Sequence, residues 1–233
     1  NISGIANSSF RVAYLGTDSK VYTLKNIPIT DVSKIKQAVF NPAGASFATI
    51  FDKRDYVNIY SFNERNTTLA TIKDKRKKLP ANPYPTAMCY GSDARNLVIA
   101  NTLGEIIIYD TKEYLPKAYI QGEGPAKSVA LSSNNYFIAS AVGNDVAVWN
   151  FQTHQLRTKL PMGAEVKEVA FSPDASMLAV ITADNKVTIF DTKTWTENRN
   201  FTGIGSNLSC VSFHPDGKYI SVVDNGSQII VLN

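Results

Sequence analysis

Six consecutive residues concentrate the charge chemistry of this sequence. Lys73-Asp74-Lys75-Arg76-Lys77-Lys78 sets five cations against one carboxylate. The 233-residue chain carries 24 Lys plus Arg and 20 Asp plus Glu, a net charge of +4. Setting the run aside leaves 19 of each sign, so the run accounts for the whole excess. A cluster of this kind pairs with phosphates or carboxylates, which points to RNA, DNA or an acidic protein segment. It equally suits a nuclear-import signal, or a solvated loop with no partner. Tyr84, beyond Leu79-Pro80-Ala81-Asn82-Pro83, is the nearest ring for stacking a base. No aromatic residue interleaves the cations, so base-specific readout has little support.

Other reactive residue types are scattered. His154 and His214 are the two histidines, and neither has a Cys or His at metal-ligand spacing. No nucleophile elbow, phosphate-binding loop or dinucleotide fingerprint occurs. Catalytic residues, cofactor and metal are therefore all expected to be none. Asp174, Asp184, Asp191 and Asp216 recur in phase with a repeat and read as turn and strand-end residues. Cys89 and Cys210 fall in the first strands of two separate repeats and are expected to be buried free thiols, which suits a reducing compartment. Trp195 follows Asp191-Thr192-Lys193-Thr194 in a turn. Exposed, it would be a binding anchor; the alternative is packing over a neighbouring strand.

The elements that must carry these residues come from self-similarity. EVKEVAFSPDASMLAVITADNKVTIFD, from Glu165 to Asp191, is the clearest copy of a unit with three apolar strands and two tight turns. The third strands of successive copies end at Leu24, Tyr60, Tyr109, Trp149, Phe190 and Leu232. That spacing, about 40 residues with one longer interval holding the basic run, is the period of a propeller blade. The turn after each first strand repeats too, with Pro42, Asp93, Pro173-Asp174 and Pro215-Asp216-Gly217. Proline presets one backbone angle there and glycine accepts a positive one. A less apolar fourth strand follows most units, as in LATIKD and QLRTKL. The pattern predicts an all-β chain, residues 1–233 forming a single β-propeller domain of about six four-stranded antiparallel blades, or part of seven. The last copy stops at its third strand, so ring closure is expected to be incomplete and the chain a fragment of a longer protein. Such an edge is a template for strand addition. No apolar run approaches the ~20 residues of a membrane span, and no membrane insertion is expected.

The SPD at Ser172 to Asp174, the HPDG at His214 to Gly217, and the pairs Trp149-Asn150, Tyr109-Asp110 and Phe190-Asp191 resemble the WD40-repeat family over essentially the whole chain. The family's Gly-His pair is missing, because the corresponding segments read QGEGPA, PMGAEV and GIGSNL. The family's buried Asp-His-Ser/Thr-Trp network therefore cannot form as such. The resemblance implies that the basic insertion lies on the top face, beside the loop holding Lys53 and Arg54, where Asp52 and Asp55 partly offset the charge. It also implies a rigid, non-catalytic platform for proteins, peptides and sometimes RNA. The candidate interaction patch is Lys53, Arg54, Lys73, Lys75, Arg76, Lys77, Lys78 and Tyr84, with Trp195 as a candidate anchor. The expected function is an intracellular protein–protein interaction scaffold in a multi-subunit complex, in nucleus or cytoplasm, within a ribonucleoprotein or nuclear assembly. Direct RNA binding through the basic loop is the alternative. A propeller hydrolase, its site assembled from residues about 40 apart, is the second.

Overall fold

A computed structural model describes residues 35–44, 46–61, 68–73, 83–224 and 228–233, together with the backbone of five short strands within residues 4–28. All regular structure among the described residues is β. The short strands are β1 (Gly4–Ala6), β2 (Ser9–Arg11), β3 (Ala13–Leu15), β4 (Val21–Thr23) and β5 (Ile27–Pro28). Then come β6 (Ile35–Phe40), β7 (Ser46–Phe51), β8 (Tyr56–Ser61) and β9 (Thr68–Lys73), which form the first four-stranded antiparallel blade. The second is β10 (Pro85–Tyr90), β11 (Asn96–Asn101), β12 (Glu105–Asp110) and β13 (Pro116–Gln121). The third is β14 (Ser128–Leu131), β15 (Phe137–Val142), β16 (Asp145–Asn150) and β17 (Leu156–Pro161). The fourth is β18 (Val166–Phe171), β19 (Met177–Thr182), β20 (Val187–Asp191) and β21 (Glu197–Phe201). A fifth blade has three strands, β22 (Cys210–Phe213), β23 (Ile220–Val223) and β24 (Ile229–Leu232).

Five blades are thus present among the described residues, where the repeat count predicts about six. The first copy accounts for the difference. Its strands pair as a three-stranded β1-β2-β5 sheet and a β3-β4 hairpin instead of one blade. In sequence this copy is broken by Asn7-Ser8 and by Gly16-Thr17-Asp18-Ser19. Runs of three residues supply too few cross-strand pairs for a blade.

One five-residue turn closes the first hairpin of every blade. Gly44, Ala94, Asn135, Ala175 and Gly217 occupy its fourth position, all with φ between 55° and 76°. Each donates its backbone N–H to the carbonyl three residues earlier at 2.8–2.9 Å. Glycine takes this left-handed conformation freely, whereas alanine pays about 1 kcal/mol. At the third position Asp93, Asp174 and Asp216 accept the N–H two residues on, from Arg95, Ser176 and Lys218, at 2.9–3.0 Å. Asp174 also accepts from the Ser172 hydroxyl at 2.6 Å, and these donors hold its carboxyl below the usual range. The phase-locked aspartates are therefore turn residues, as the spacing predicts.

The blades stack face to face through apolar clusters. Ile106 and Ile108 of the second blade pack with Val129, Ile138 and Trp149 of the third. Val146 and Val148 of the third meet Val166, Val169 and Leu178 of the fourth. Val187 and Ile189 of the fourth meet Leu208, Val211 and Val222 of the fifth. Alternation along each third strand sends these side chains toward the following blade. Trp149 is buried between blades, and its indole N–H donates to Ser140 Oγ at 3.1 Å. The Ser140 hydroxyl donates onward to the Ala147 carbonyl at 3.2 Å. The serine–tryptophan half of the family's network is thus present without its histidine.

Candidate interaction surfaces

The register of β8 and β9 places Tyr56 opposite Lys73, so the end of β9 lies beside the loop joining β7 and β8. Lys73 Nζ meets Asp55 Oδ2 at 2.7 Å. Lys53 is exposed in that loop with φ 54°, and Arg54 N donates to the Phe51 carbonyl. Lys53, Arg54 and Lys73 therefore share one rim, with Asp55 partly neutralising it. Tyr84 is half exposed nearby, its backbone N–H donating to Thr102 Oγ1 at 3.1 Å. Lys75, Arg76, Lys77 and Lys78 lie outside the described residues. The space beneath this rim, between Asp55, Pro83, Asn101 and Tyr109, is only about 30 Å³, room for a single water.

Trp195 belongs to a second series. Tyr114, His154 and Trp195 end the turn between third and fourth strands in consecutive blades, with φ of 55°, 59° and 59°. The side chain that closes the third strand holds each turn. Asp110, Asn150 and Asp191 each accept the N–H groups two and three residues on. Thr111 and Thr192 tie it to the other turn of the same blade through the Ala94 and Ala175 carbonyls. The residue at the end of the turn leans toward the preceding blade. Trp195 is half-buried, edge-on to Phe137 with centroids 5.0 Å apart, and packs on the core between third and fourth blades. Tyr114 packs likewise on the core between first and second. His154 fills its seat less well, leaving a groove of about 360 Å³.

Sequence reasoning missed a third series, at the axis. The first strands lie side by side in chain order, and a polar side chain bridges most neighbours. Gln37 Oε1 accepts the Met88 N–H at 2.8 Å while its Nε2 donates to the Met88 carbonyl. Ser128 Oγ accepts from Val169 N at 3.3 Å, and Glu168 Oε2 from Val211 N at 2.8 Å. Burial pushes Glu168 up to about 6 despite that bond. These residues occupy the same strand position in their blades, so an in-phase polar residue inside an apolar strand was the available signal. Cys210 stands at that position in the fifth blade. It is a free thiol, but exposed, which corrects the expectation that both cysteines are buried. Cys89 is free and half-buried, and desolvation raises its thiol to about 12.

Cys210 lies on the face of the fifth blade turned away from the fourth, the position from which Glu168 reaches the next blade, and β24 has no fourth strand beside it among the described residues. Ile229 and Val231 are 71% and 62% exposed, although their counterparts in earlier blades, such as Val187 and Ile189, are buried. Next to this edge a groove of about 390 Å³ runs between the fourth and fifth blades. Met177, Ile189 and Phe201 form one wall, and Phe213, Tyr219 and Leu232 the other, with Arg199 and Lys218 also lining it. Among the described residues no group of three or more His, Cys, Asp or Glu could hold a metal ion.

Antiparallel blades stacked around an axis through their first strands define a β-propeller. Residues 195–231 match the family model described as WD domain, G-beta repeat. That stretch runs from the turn at Trp195 into β24. The chain is 26% identical over 180 residues to Pre-mRNA-processing factor 19 of Dictyostelium discoideum, covering 73% of this chain and 34% of that protein. It is 28% identical over 162 residues to Pre-mRNA-processing factor 19 homolog 2 of Arabidopsis thaliana, 66% of this chain and 29% of that one. WD repeat-containing protein 1-B of Xenopus laevis is 22% identical over 176 residues, 73% of this chain and 27% of its own length. A WD40 repeat is present, and the WD40 β-propeller family fits this chain. The chain spans about a third or less of the length of these curated relatives.

Proposed function

We propose that this chain is a non-catalytic interaction scaffold that docks protein partners in a nuclear, multi-subunit assembly engaged in pre-mRNA processing. The observation that carries the reading is the stack of antiparallel blades, packed face to face through apolar clusters, with a WD-domain match over residues 195–231. One docking mode is addition of a partner strand along β24. Similarity to Pre-mRNA-processing factor 19 supports the choice of assembly. Affinity purification of the tagged protein from its native extract, with identification of what accompanies it, tests this. Splicing proteins retained through salt washes are expected. Recovery of the protein alone rejects the reading.

A second reading is RNA contact through the rim of Lys53, Arg54, Lys73 and the basic run, favoured by the concentration of the whole net charge there. Replacing Lys75, Arg76, Lys77 and Lys78 by Ala is expected to weaken RNA binding and flatten its salt dependence. Unaltered binding dismisses this second reading.

A further inference from the structure

Between the second and third blades the repeat departs from its own pattern at three positions that meet in one groove. Asn96 pairs with the residue closing the third strand, the place held by Phe137 and Met177 in the next two blades. Phe151 follows Asn150 where Thr111 and Thr192 follow their aspartates. His154 ends the turn that Tyr114 and Trp195 end with a packed ring. The groove of about 360 Å³ takes its apolar lining from Phe151, Ile108 and Ala118. Both walls belong to complete four-stranded blades, β10–β13 and β14–β17. Its polar lining is rich in unused donors. Asn96 is only 6% exposed, and its Oδ1 accepts from Lys117 Nζ at 3.1 Å, while its amide N–H groups meet no acceptor among the described residues. Lys117 gives a second N–H to Asp110 Oδ2 at 3.0 Å and keeps a third. The Arg95 guanidinium and the His154 ring make no hydrogen bond or ion pair among the described residues. Asp93, the one carboxylate of the lining, is engaged at both oxygens, by Arg95 N and by Asn135 Nδ2, each at 2.9 Å. Converging donors beside an apolar surface complement an anion carried on an apolar stem. Arg95 and Lys117 against Asp93 leave one positive charge, which a single carboxylate balances. A nucleic-acid backbone needs a row of cations instead. Leu156 is exposed on the same side, because it pairs with Trp149, whose ring packs toward the second blade.

We propose that this groove receives one carboxylate side chain of an acidic partner segment, flanked in that segment by a bulky apolar residue. The carboxylate accepts from Asn96, Lys117 and Arg95, and the apolar neighbour lies on Phe151 and Leu156. This rests on the scaffold reading above and names the chemistry that selects the partner.

The probe is a photo-crosslinker, Tyr136→p-benzoylphenylalanine in the full tagged chain, a ring-for-ring exchange at an exposed residue beside Asn135. Illumination in native extract, followed by mass spectrometry, identifies the cross-linked segment. The expected product is a protein segment with Asp or Glu adjacent to a bulky apolar residue. Made as a labelled peptide, that segment should bind the unmodified chain in fluorescence anisotropy. Its affinity should fall about tenfold or more when the acid becomes the corresponding amide. Arg95→Glu, at an exposed side chain without a partner, should cost a similar factor. His154→Trp, which fills the seat as Trp195 does, should abolish binding, and Arg95→Glu serves if that variant misfolds. Equal affinity with the amide peptide or with Arg95→Glu overturns the proposal. So does a cross-link confined to RNA or to a second copy of the chain. Partners that co-purify without any cross-link, and in equal amounts with Arg95→Glu, overturn the groove while sparing the scaffold. Recovery of the chain alone overturns both.

Discussion

At the residue scale, Glu168 is the most consequential titratable group described. Its carboxylate holds the first strand of the fifth blade through Val211, yet burial raises it from 4.5 to about 6. Because the folded value is the higher one, its contribution is most favourable below about pH 4.5 and is lost as pH rises through 6. The difference amounts to about 2 kcal/mol at neutral pH. Glu168→Gln keeps an acceptor for Val211 and removes the charge, so urea unfolding should show the variant more stable than wild type at pH 7, with the gap closing toward pH 4.5. Ser140→Ala should cost about 1–3 kcal/mol in the same assay, because it leaves the buried Trp149 N–H without its acceptor. The two thiols should both react slowly with a thiol reagent, since burial and the Glu168 carboxylate push Cys210 up to about 11 and burial pushes Cys89 to about 12, with the more exposed Cys210 the first to be labelled in the native protein. Glu168 could have been found in the sequence by aligning the first strands. What alignment could not supply was its depth, because the raised carboxyl depends on the neighbouring blade's approach.

At the element scale, the turns were legible because their chemistry is local. Proline, aspartate and glycine in phase dictate the five-residue turn without help from packing. The same turn carries Ala94 and Ala175 in a left-handed conformation. Ala94→Gly should therefore stabilise the second blade by about 1 kcal/mol, read as a raised denaturation midpoint. Trp195 shows the limit of local reasoning. Its place in a turn left both an exposed anchor and a packed side chain open, and the outcome depended on Phe137, 58 residues away in sequence. The first repeat shows another limit. Apolar residues of the right kind are present, but the runs between polar breaks are too short, so similarity of composition overstated similarity of structure.

At the scale of the whole molecule, the propeller was legible in the period of the repeat, while the number of blades and the state of the last one needed the stacking. Ile229 and Val231 read as ordinary core residues in the repeat. Only their exposure marks them as a surface. The fold then assigns two rims of different character: a cationic one at Lys53, Arg54 and Lys73, and an apolar one at the fifth blade with Arg199 and Lys218 beside it. The most direct test is sedimentation of the tagged protein in its native extract. The scaffold account predicts that it migrates in a large multi-protein particle. Migration as a free monomer under the same conditions would contradict it.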